Sequence, residues 1–487
     1  MGKIQRNLIY NVLLSISQVL FPLLVFPYVS RVLGPEGIGA VSFVDSIVQW
    51  CILAAALGIP LYGVREIAKV KDDPKERSRV FSELLTLHLA TSVFFSVLLM
   101  GCFHVVTPFA NYHQLFWVGT CMLFVSACTV EWLFQGMSAF PYITMRTLLV
   151  RAITVIAVFW LVNDDGDTTL YYAITLLGTF INILSNGWYA KRFVRYSFHH
   201  LDLRRHFRPM FFIFSFAIVT SVYTLLDNML LGLMTDEIQV GYYSTAVRLI
   251  KLVITVLVAI STVLVPNLSY TFSRGQQEES RYLLQRSFSL MVFVGVPAAV
   301  GLWVIAPNII QLFAGNQFRP AVVALQLLAP TIVLIGLSNV FGMQVLNPTH
   351  NERLFFWAAL VGMGVSLLTN VLLIPHFHYI GAAMAGLLTE TAVCSLLAVF
   401  AGKVFPFQPD WLLVSKALLA TSPMILLHWF AGQFRLTMMA ETVVVVMFAI
   451  VSYALVQHFI WKNPLVSDML RLVSFNYRHG GRQHEES

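Results

Sequence analysis

The chain has 487 residues, of which 58% are hydrophobic and 11% charged, with a formal net charge of +7 and a mean hydropathy of +0.75. Soluble domains carry about 25% charged residues, so no soluble fold of this length could hide so much apolar surface behind so few charges; a bilayer can, because lipid solvates it. The positive balance alone would admit nucleic acid as a partner, but its distribution along the chain, set out below, excludes that reading.

Apolar runs follow one another along the chain, each covering or approaching the ~20 residues that cross ~30 Å of hydrocarbon. The first, at 8–30, follows Lys3 and Arg6 as a signal peptide would. It exceeds the ~7–15 residues of a signal core and has no clean cleavage site, so it reads as a retained span. Further spans are predicted at 38–60, 82–104, 114–134, 147–163, 169–190, 210–233, 242–267, 288–306, 321–345, 354–374, 380–401, 414–430 and 439–460. The fold class is therefore an all-α polytopic membrane protein with about fourteen transmembrane helices. The five cysteines (Cys51, Cys102, Cys121, Cys128 and Cys394) fall within or at the ends of spans without ligand spacing, and read as small core residues. Prolines 22, 27, 60, 266 and 297 lie within or near span ends, where they permit bends.

The loops set the orientation. Cytoplasmic loops hold the Lys and Arg excess. With the N-terminus inside, 25 of the 31 Lys and Arg residues fall on inside segments and span edges, and Arg31, Arg319 and Arg435 fall outside. Both termini are expected in the cytoplasm, and the positive charge is a topology signal and a headgroup contact. No loop reaches the ~50 residues of a small domain. No GxxxxGK[ST], HExxH or GxSxG motif is present, and the chain reads as a non-enzyme. His199 and His200 lie in a basic loop and are not read as a metal site.

A weak repeat is visible. Leu33-Gly34 followed by Ile38-Gly39-Ala40-Val41-Ser42 is echoed by Leu231-Gly232 followed by Val240-Gly241-Tyr242-Tyr243-Ser244. Phe134-Gln135-Gly136-Met137 with Arg146 is echoed by Phe341-Gly342-Met343-Gln344 with Arg353. Both echoes give a period of six spans. Glycine at helix ends is common, but the shared register favours a true repeat: one six-helix bundle at 1–200, a second at 201–405, two further helices at 406–462, and a cytoplasmic tail at 463–487. Parallel repeats of this kind are related by an axis along the membrane normal.

Ionisable groups inside the bilayer are costly and each needs an account. Four cations (Arg31, Arg151, Arg248 and Lys251) and four carboxylates (Asp45, Glu131, Asp227 and Glu390) fall within spans or at their ends. Arg248 and Lys251, three apart, share a helix face. Asp227 could pair with either of them, and Arg31 could sit among headgroups. As a set, the charges cannot all face lipid and point to a wet central cavity, whose sign the balanced charges leave open. Glu83 and Arg65, at the inner boundary, are expected to be solvated.

The run from Asn11 through Arg31-x-Leu33-Gly34-x-x-Gly37-x-Gly39 resembles the opening of the Wzx-type polysaccharide flippases. So do Glu131-Trp132-Leu133-Phe134-Gln135-Gly136 with Tyr142-Ile143 and Arg146, and Asp227 to Gly232 with Val240-Gly241-Tyr242-Tyr243-Ser244-x-Ala246-x-Arg248. The match covers roughly the first half of the chain and is looser in the second. It implies membership of the multidrug/oligosaccharidyl-lipid/polysaccharide exporter superfamily, with two six-helix bundles facing across a central cavity. It also implies movement of undecaprenyl-diphosphate-linked oligosaccharide across the bacterial plasma membrane, for O-antigen, capsule or exopolysaccharide assembly alongside polysaccharide polymerase machinery. Arg can clamp phosphate oxygens, so Arg31, Arg151, Arg248 and Lys251 are the expected substrate contacts. Asp45, Asp227, Glu131 and Glu390 are the expected ion-coupling or sugar-contacting residues. No cofactor is implied, and the expected drive is a proton or sodium gradient. The rivals are a multidrug:cation antiporter of the same superfamily, for which Arg248 and Lys251 suit cationic cargo poorly, and a membrane polysaccharide polymerase, for which the large loop or catalytic domain is missing.

Overall fold

A computed structural model describes residues 3–105, 111–196, 201–407, 409–431 and 437–461. His199, His200, Arg435 and the segment 463–487 lie outside the described residues. The described residues form helices and no strands. In chain order these are α1 (Lys3–Ala56), α2 (Ile59–Lys69), α3 (Pro74–Val105), α4 (His113–Ser126), α5 (Glu131–Gly136), α6 (Phe140–Leu161), α7 (Thr168–Ala190), α8 (Arg204–Met234), α9 (Glu237–Ser273), α10 (Gln277–Val304) and α11 (Ala306–Phe313). They continue with α12 (Ala321–Leu328), α13 (Thr331–Ser338), a π-helical stretch Asn339–Leu346, α14 (Glu352–Val404), α15 (Trp411–Ala420), α16 (Ser422–Ala431) and α17 (Met438–Leu455).

Among the described residues, ten helical stretches are long and apolar enough to cross a membrane. Two of them, Ile16–Lys69 with 54 residues and Glu352–Val404 with 53, are far too long for one crossing. Each contains a break, at Gly34 (φ 65°) and at His378 (φ 51°), so each supplies two crossings. Shorter apolar helices lie at Leu225–Met234, the end of the 31-residue α8, and at Trp411–Leu427, where the sequence predicts its seventh and thirteenth spans. The Gly34 break follows from the sequence Gly34-Pro35. A residue before proline is pushed out of the α region, glycine accepts a positive φ without steric cost, and proline then opens the next helix. The helices run on through Pro22, Pro27, Pro266 and Pro297. Of the prolines that the sequence nominates as bend points, Pro60 follows a break at Leu57 (φ 47°) and Gly58 (φ 77°), whereas the breaks at Gly34 and His378 lie away from the nominated prolines.

The distribution of side chains is that of a lipid-solvated protein. Large apolar groups such as Trp160, Ile156, Val97 and Phe94 are exposed, whereas Glu83, Asn186, Gln344 and Asn370 are fully buried. Backbone polar groups are satisfied within the helices, as hydrocarbon requires.

The chain divides into two compact units. Unit 1 holds Met1–Thr245, Phe313–Pro320 and Gly362–Ala385; unit 2 holds Ala246–Leu312, Ala321–Val361 and Gly386–Ser487. The core of unit 1 gathers Ile59, Ile67, Leu84, Trp132, Leu133 and Phe134, with Tyr142 and Tyr189 stacked at 3.8 Å beside Phe134. In unit 2, Phe288 packs against Phe341 and Trp411, and Ala420, Met424, Ala449 and Tyr453 form a smaller cluster with Phe293.

Unit 1 also contains a reciprocal contact between the echoed glycines. A Cβ on Gly39 would overlap the Glu237 carbonyl and stand 2.8 Å from the Gly241 nitrogen, and a Cβ on Gly241 would overlap the Pro35 carbonyl. The partners are offset by the same 202 positions, 39 to 241 and 35 to 237. The Leu-Gly half of the echo is not matched in conformation: Gly34 breaks its helix, while Gly232 stays helical with Phe43 laid against it. The second echo diverges as well, since Arg146 is buried and Arg353 exposed.

Candidate functional site

Asp227, near the end of α8, is 8% exposed. Its carboxylate accepts hydrogen bonds from the Tyr243 hydroxyl (2.6 Å), the Asn370 amide (2.7 Å) and the Ser366 hydroxyl (3.4 Å). Asn370 is itself tied to the Ser366 carbonyl at 2.9 Å. Three helices therefore converge on one carboxylate: α8, α9 through Tyr243, and α14 through Ser366 and Asn370, all within unit 1. Asp45 on α1 is half-buried; it accepts from the Tyr172 hydroxyl of α7 (3.2 Å) and from Gln49 one turn on (3.4 Å).

Arg31, exposed just before the Gly34 break, donates to the Pro27 carbonyl at 3.0 Å and lies over Gly315. Arg151 on α6 is half-buried and donates to the Ser17 hydroxyl at 2.6 Å. Ser17 is nearly fully buried, so this guanidinium is fixed against α1 at a place where both helices are apolar. Glu131 follows Val130, whose φ of 41° breaks the fourth crossing. It forms an ion pair with Arg146. Arg146 also donates to Asn186, which accepts the Tyr142 hydroxyl at 3.1 Å. Arg146, which the loop count treats as an inside charge, is thus the centre of a buried cluster.

Arg248, Lys251 and Glu390 belong to unit 2. Arg248 is half-buried and Lys251 exposed, both on the unbroken α9, and Glu390 is half-buried on α14, one turn before Cys394. Unit 2 also contains a cleft of about 670 Å³ lined by Val253 of α9, Phe293, Pro297 and Leu302 of α10, and Val445 and Ile450 of α17.

Glu83 overturns an expectation. The sequence places it at a boundary and suggests solvation, but the side chain is completely buried. Its carboxylate accepts from Arg205 (2.5 and 2.9 Å), His206 Nε2 (2.8 Å), Arg79 (3.1 Å) and the Asp202 backbone N–H (2.8 Å). The Tyr62 hydroxyl meets His206 Nδ1 at 2.9 Å. Glu83 is withdrawn from water because residues 202–206 fold back across the N-terminal part of α3. Arg65, by contrast, is exposed as expected.

Sequence reasoning missed the groups that hold the carboxylates: Tyr172, Tyr243, Ser366 and Asn370. Three of these left a signal. Tyr243 sits in the echoed glycine segment, and Ser366 and Asn370, four apart, place two polar groups on one helix face in an apolar run. Among the described residues, no group of His, Cys, Asp and Glu could hold a metal ion.

Comparison with known proteins gives consistent matches. Residues 4–272 match the family described as polysaccharide biosynthesis protein, and residues 212–372 match the MatE family. An Escherichia coli (strain K12) protein inferred to be an O-antigen transporter is 27% identical over 405 residues, covering 82% of this chain and 96% of its own length. A flippase named for low-salt glycan biosynthesis in Haloferax volcanii is 24% identical over 224 residues, 44% of this chain and 47% of that protein. Among solved structures, the lipid II flippase MurJ in an inward closed conformation superposes with a TM-score of 0.72 at 15% identity, over 94% of this chain and 99% of that one. An inward-facing multidrug resistance transporter of the MATE family gives 0.62 at 14% identity, over 79% and 94%. These structural likenesses establish the fold.

Proposed function

The chain belongs to the polysaccharide biosynthesis protein family, within the multidrug/oligosaccharidyl-lipid/polysaccharide exporter superfamily, and from that premise we propose that it flips undecaprenyl-diphosphate-linked oligosaccharide repeat units across the bacterial plasma membrane. It is a multi-pass transporter of a non-enzymatic family. In this reading the cargo crosses by alternating access of the bundles 1–200 and 201–405, with 406–462 as additional helices and both termini in the cytoplasm. A proton or sodium gradient drives it, and a polysaccharide polymerase takes the product.

The observation that carries the reading is on α9. One helix bears Arg248 and Lys251 and, two residues beyond Lys251, reaches Val253 in the wall of the apolar cleft of unit 2. That rise is about 3 Å along the axis. An amphiphile with an anionic head and a long hydrocarbon tail needs both environments; here they lie close in height along α9 but on different faces, since residues two apart on a helix do not face each other. The cleft suits a polyprenyl chain, and guanidinium and ammonium groups suit a diphosphate. Arg31 and Arg151 are assigned to the remaining phosphate or acidic-sugar contacts. Asp45, Asp227, Glu131 and Glu390 are assigned to ion coupling or sugar hydrogen bonds.

The test is flipping of a fluorescent polyprenyl-diphosphate sugar in proteoliposomes. The Arg248→Ala, Lys251→Ala double variant is expected to insert normally and to lose flipping; normal flipping would sink the assignment of those cations. The MatE match over 212–372 supports the antiporter as a second reading, and efflux of a cationic dye without lipid movement would establish it instead. Single cysteines introduced in 191–209 are expected to react with impermeant maleimide only from inside, and those in 163–168 only from outside.

A further inference from the structure

Unit 1 contains a groove of about 620 Å³ whose lining includes none of the residues assigned to cargo or coupling. Its walls are Phe81, Leu85 and Leu89 of α3 and Ile183 and Gly187 of α7. Its floor is Cys128 and Val130, where the fourth crossing breaks between α4 and α5. The groove exists for reasons that can be read residue by residue. Val130 at φ 41° interrupts the helix that would otherwise fill the space between α3 and α7. Gly187 contributes no side chain, and a Cβ built there meets nothing within 4 Å.

At one end stand Lys191 and Arg195, both exposed and both lining the groove. Among the described residues, neither is ion-paired with a carboxylate. The segment that carries them is fixed in place. Arg77 donates to the Phe193 carbonyl at 2.7 and 3.0 Å, the Arg195 N–H donates to the Ser78 hydroxyl at 3.1 Å, and the Tyr196 hydroxyl meets that of Thr86 at 2.8 Å. Two unneutralised cations therefore stand over an apolar slot at the end of the crossing helices, on a backbone segment that is already ordered in the fold.

We propose that this groove is a binding site for an anionic glycerophospholipid of the adjoining leaflet, with an acyl chain between α3 and α7 and its phosphate on Lys191 and Arg195. Charge complementarity selects this occupant over a zwitterionic lipid, because each basic residue near the surface favours an anionic headgroup and an exposed amine or guanidinium gains little from a neutral one. The site is separate from Arg248, Lys251 and the cleft of unit 2, so its occupancy can be measured without any transport assay.

The experiment is native mass spectrometry of the full chain released from nanodiscs containing equal amounts of phosphatidylglycerol and phosphatidylcholine of the same acyl composition. One phosphatidylglycerol is expected to be retained with about a 30-fold preference, the effect of two basic residues. Lys191→Gln with Arg195→Gln is expected to reduce the preference to within about threefold, the remainder left by other basic side chains. Gly187→Leu, which fills the slot without altering charge, is expected to abolish retention while leaving the circular dichroism spectrum unchanged. Equal retention of the two lipids by the unaltered chain would overturn the proposal. So would undiminished phosphatidylglycerol retention in both variants, or displacement of phosphatidylglycerol by an equimolar polyprenyl diphosphate.

Discussion

Glu83 and Asp227 are both buried carboxylates inside unit 1, each met by side chains from two helices, yet the described partners differ in kind. Glu83 faces two guanidinium groups, an imidazole and a backbone N–H. Asp227 accepts from a phenol, an amide and an alcohol. A carboxylate clamped by guanidinium groups is held ionised, and neutralising it strands its partners. The hydroxyls of Tyr243 and Ser366 can turn from donor to acceptor, so these neighbours tolerate protonation of Asp227. Burial alone therefore does not characterise a carboxylate; the chemistry of its donors does.

Glu83→Gln should produce the largest effect on stability, because it removes one side of a buried ionic cluster. A cost of about 3–5 kcal/mol is expected for such a loss, read as a large drop in the melting temperature of the detergent-solubilised chain. An unchanged melting temperature would erase the distinction drawn above. Tyr243→Phe removes one hydrogen bond of 2.6 Å to Asp227, and should cost about 1–1.5 kcal/mol in the same measurement, with slowed flipping. Asp227→Asn keeps the shape and should cost about 1 kcal/mol or less while reducing flipping to background; retained flipping would remove Asp227 from the coupling set. Asp45→Asn, with partners at 3.2 and 3.4 Å and only half burial, should change stability least, by about 0.5 kcal/mol. A loss as large as that of Glu83→Gln would show that Asp45 is the better anchored group.

The crossings were legible in the sequence because hydropathy integrates over ~20 residues and tolerates errors at any one. The predicted spans fall on helices even where one long helical run, interrupted at Gly34 or His378, carries two of them. Individual charges were less legible. Glu83 looks like a boundary residue because its partners, Arg205 and His206, lie more than 120 positions away, and no local pattern announces that residues 202–206 fold back over α3. The same distance hid Ser366 and Asn370 from Asp227. Arg151 was recognisable as an intramembrane cation, but its anchor, Ser17, is an ordinary serine in an apolar run. Hydropathy registers which groups must be accounted for; only tertiary structure shows which neighbour accounts for them.

The contact between Gly39 and Gly241 leaves no room for either residue to vary. Gly39 packs on the carbonyl of Glu237, and Gly241 packs on that of Pro35, 202 positions before Glu237. A side chain at either position would force the two backbones apart, so a substitution at one glycine cannot be relieved by a substitution at the other.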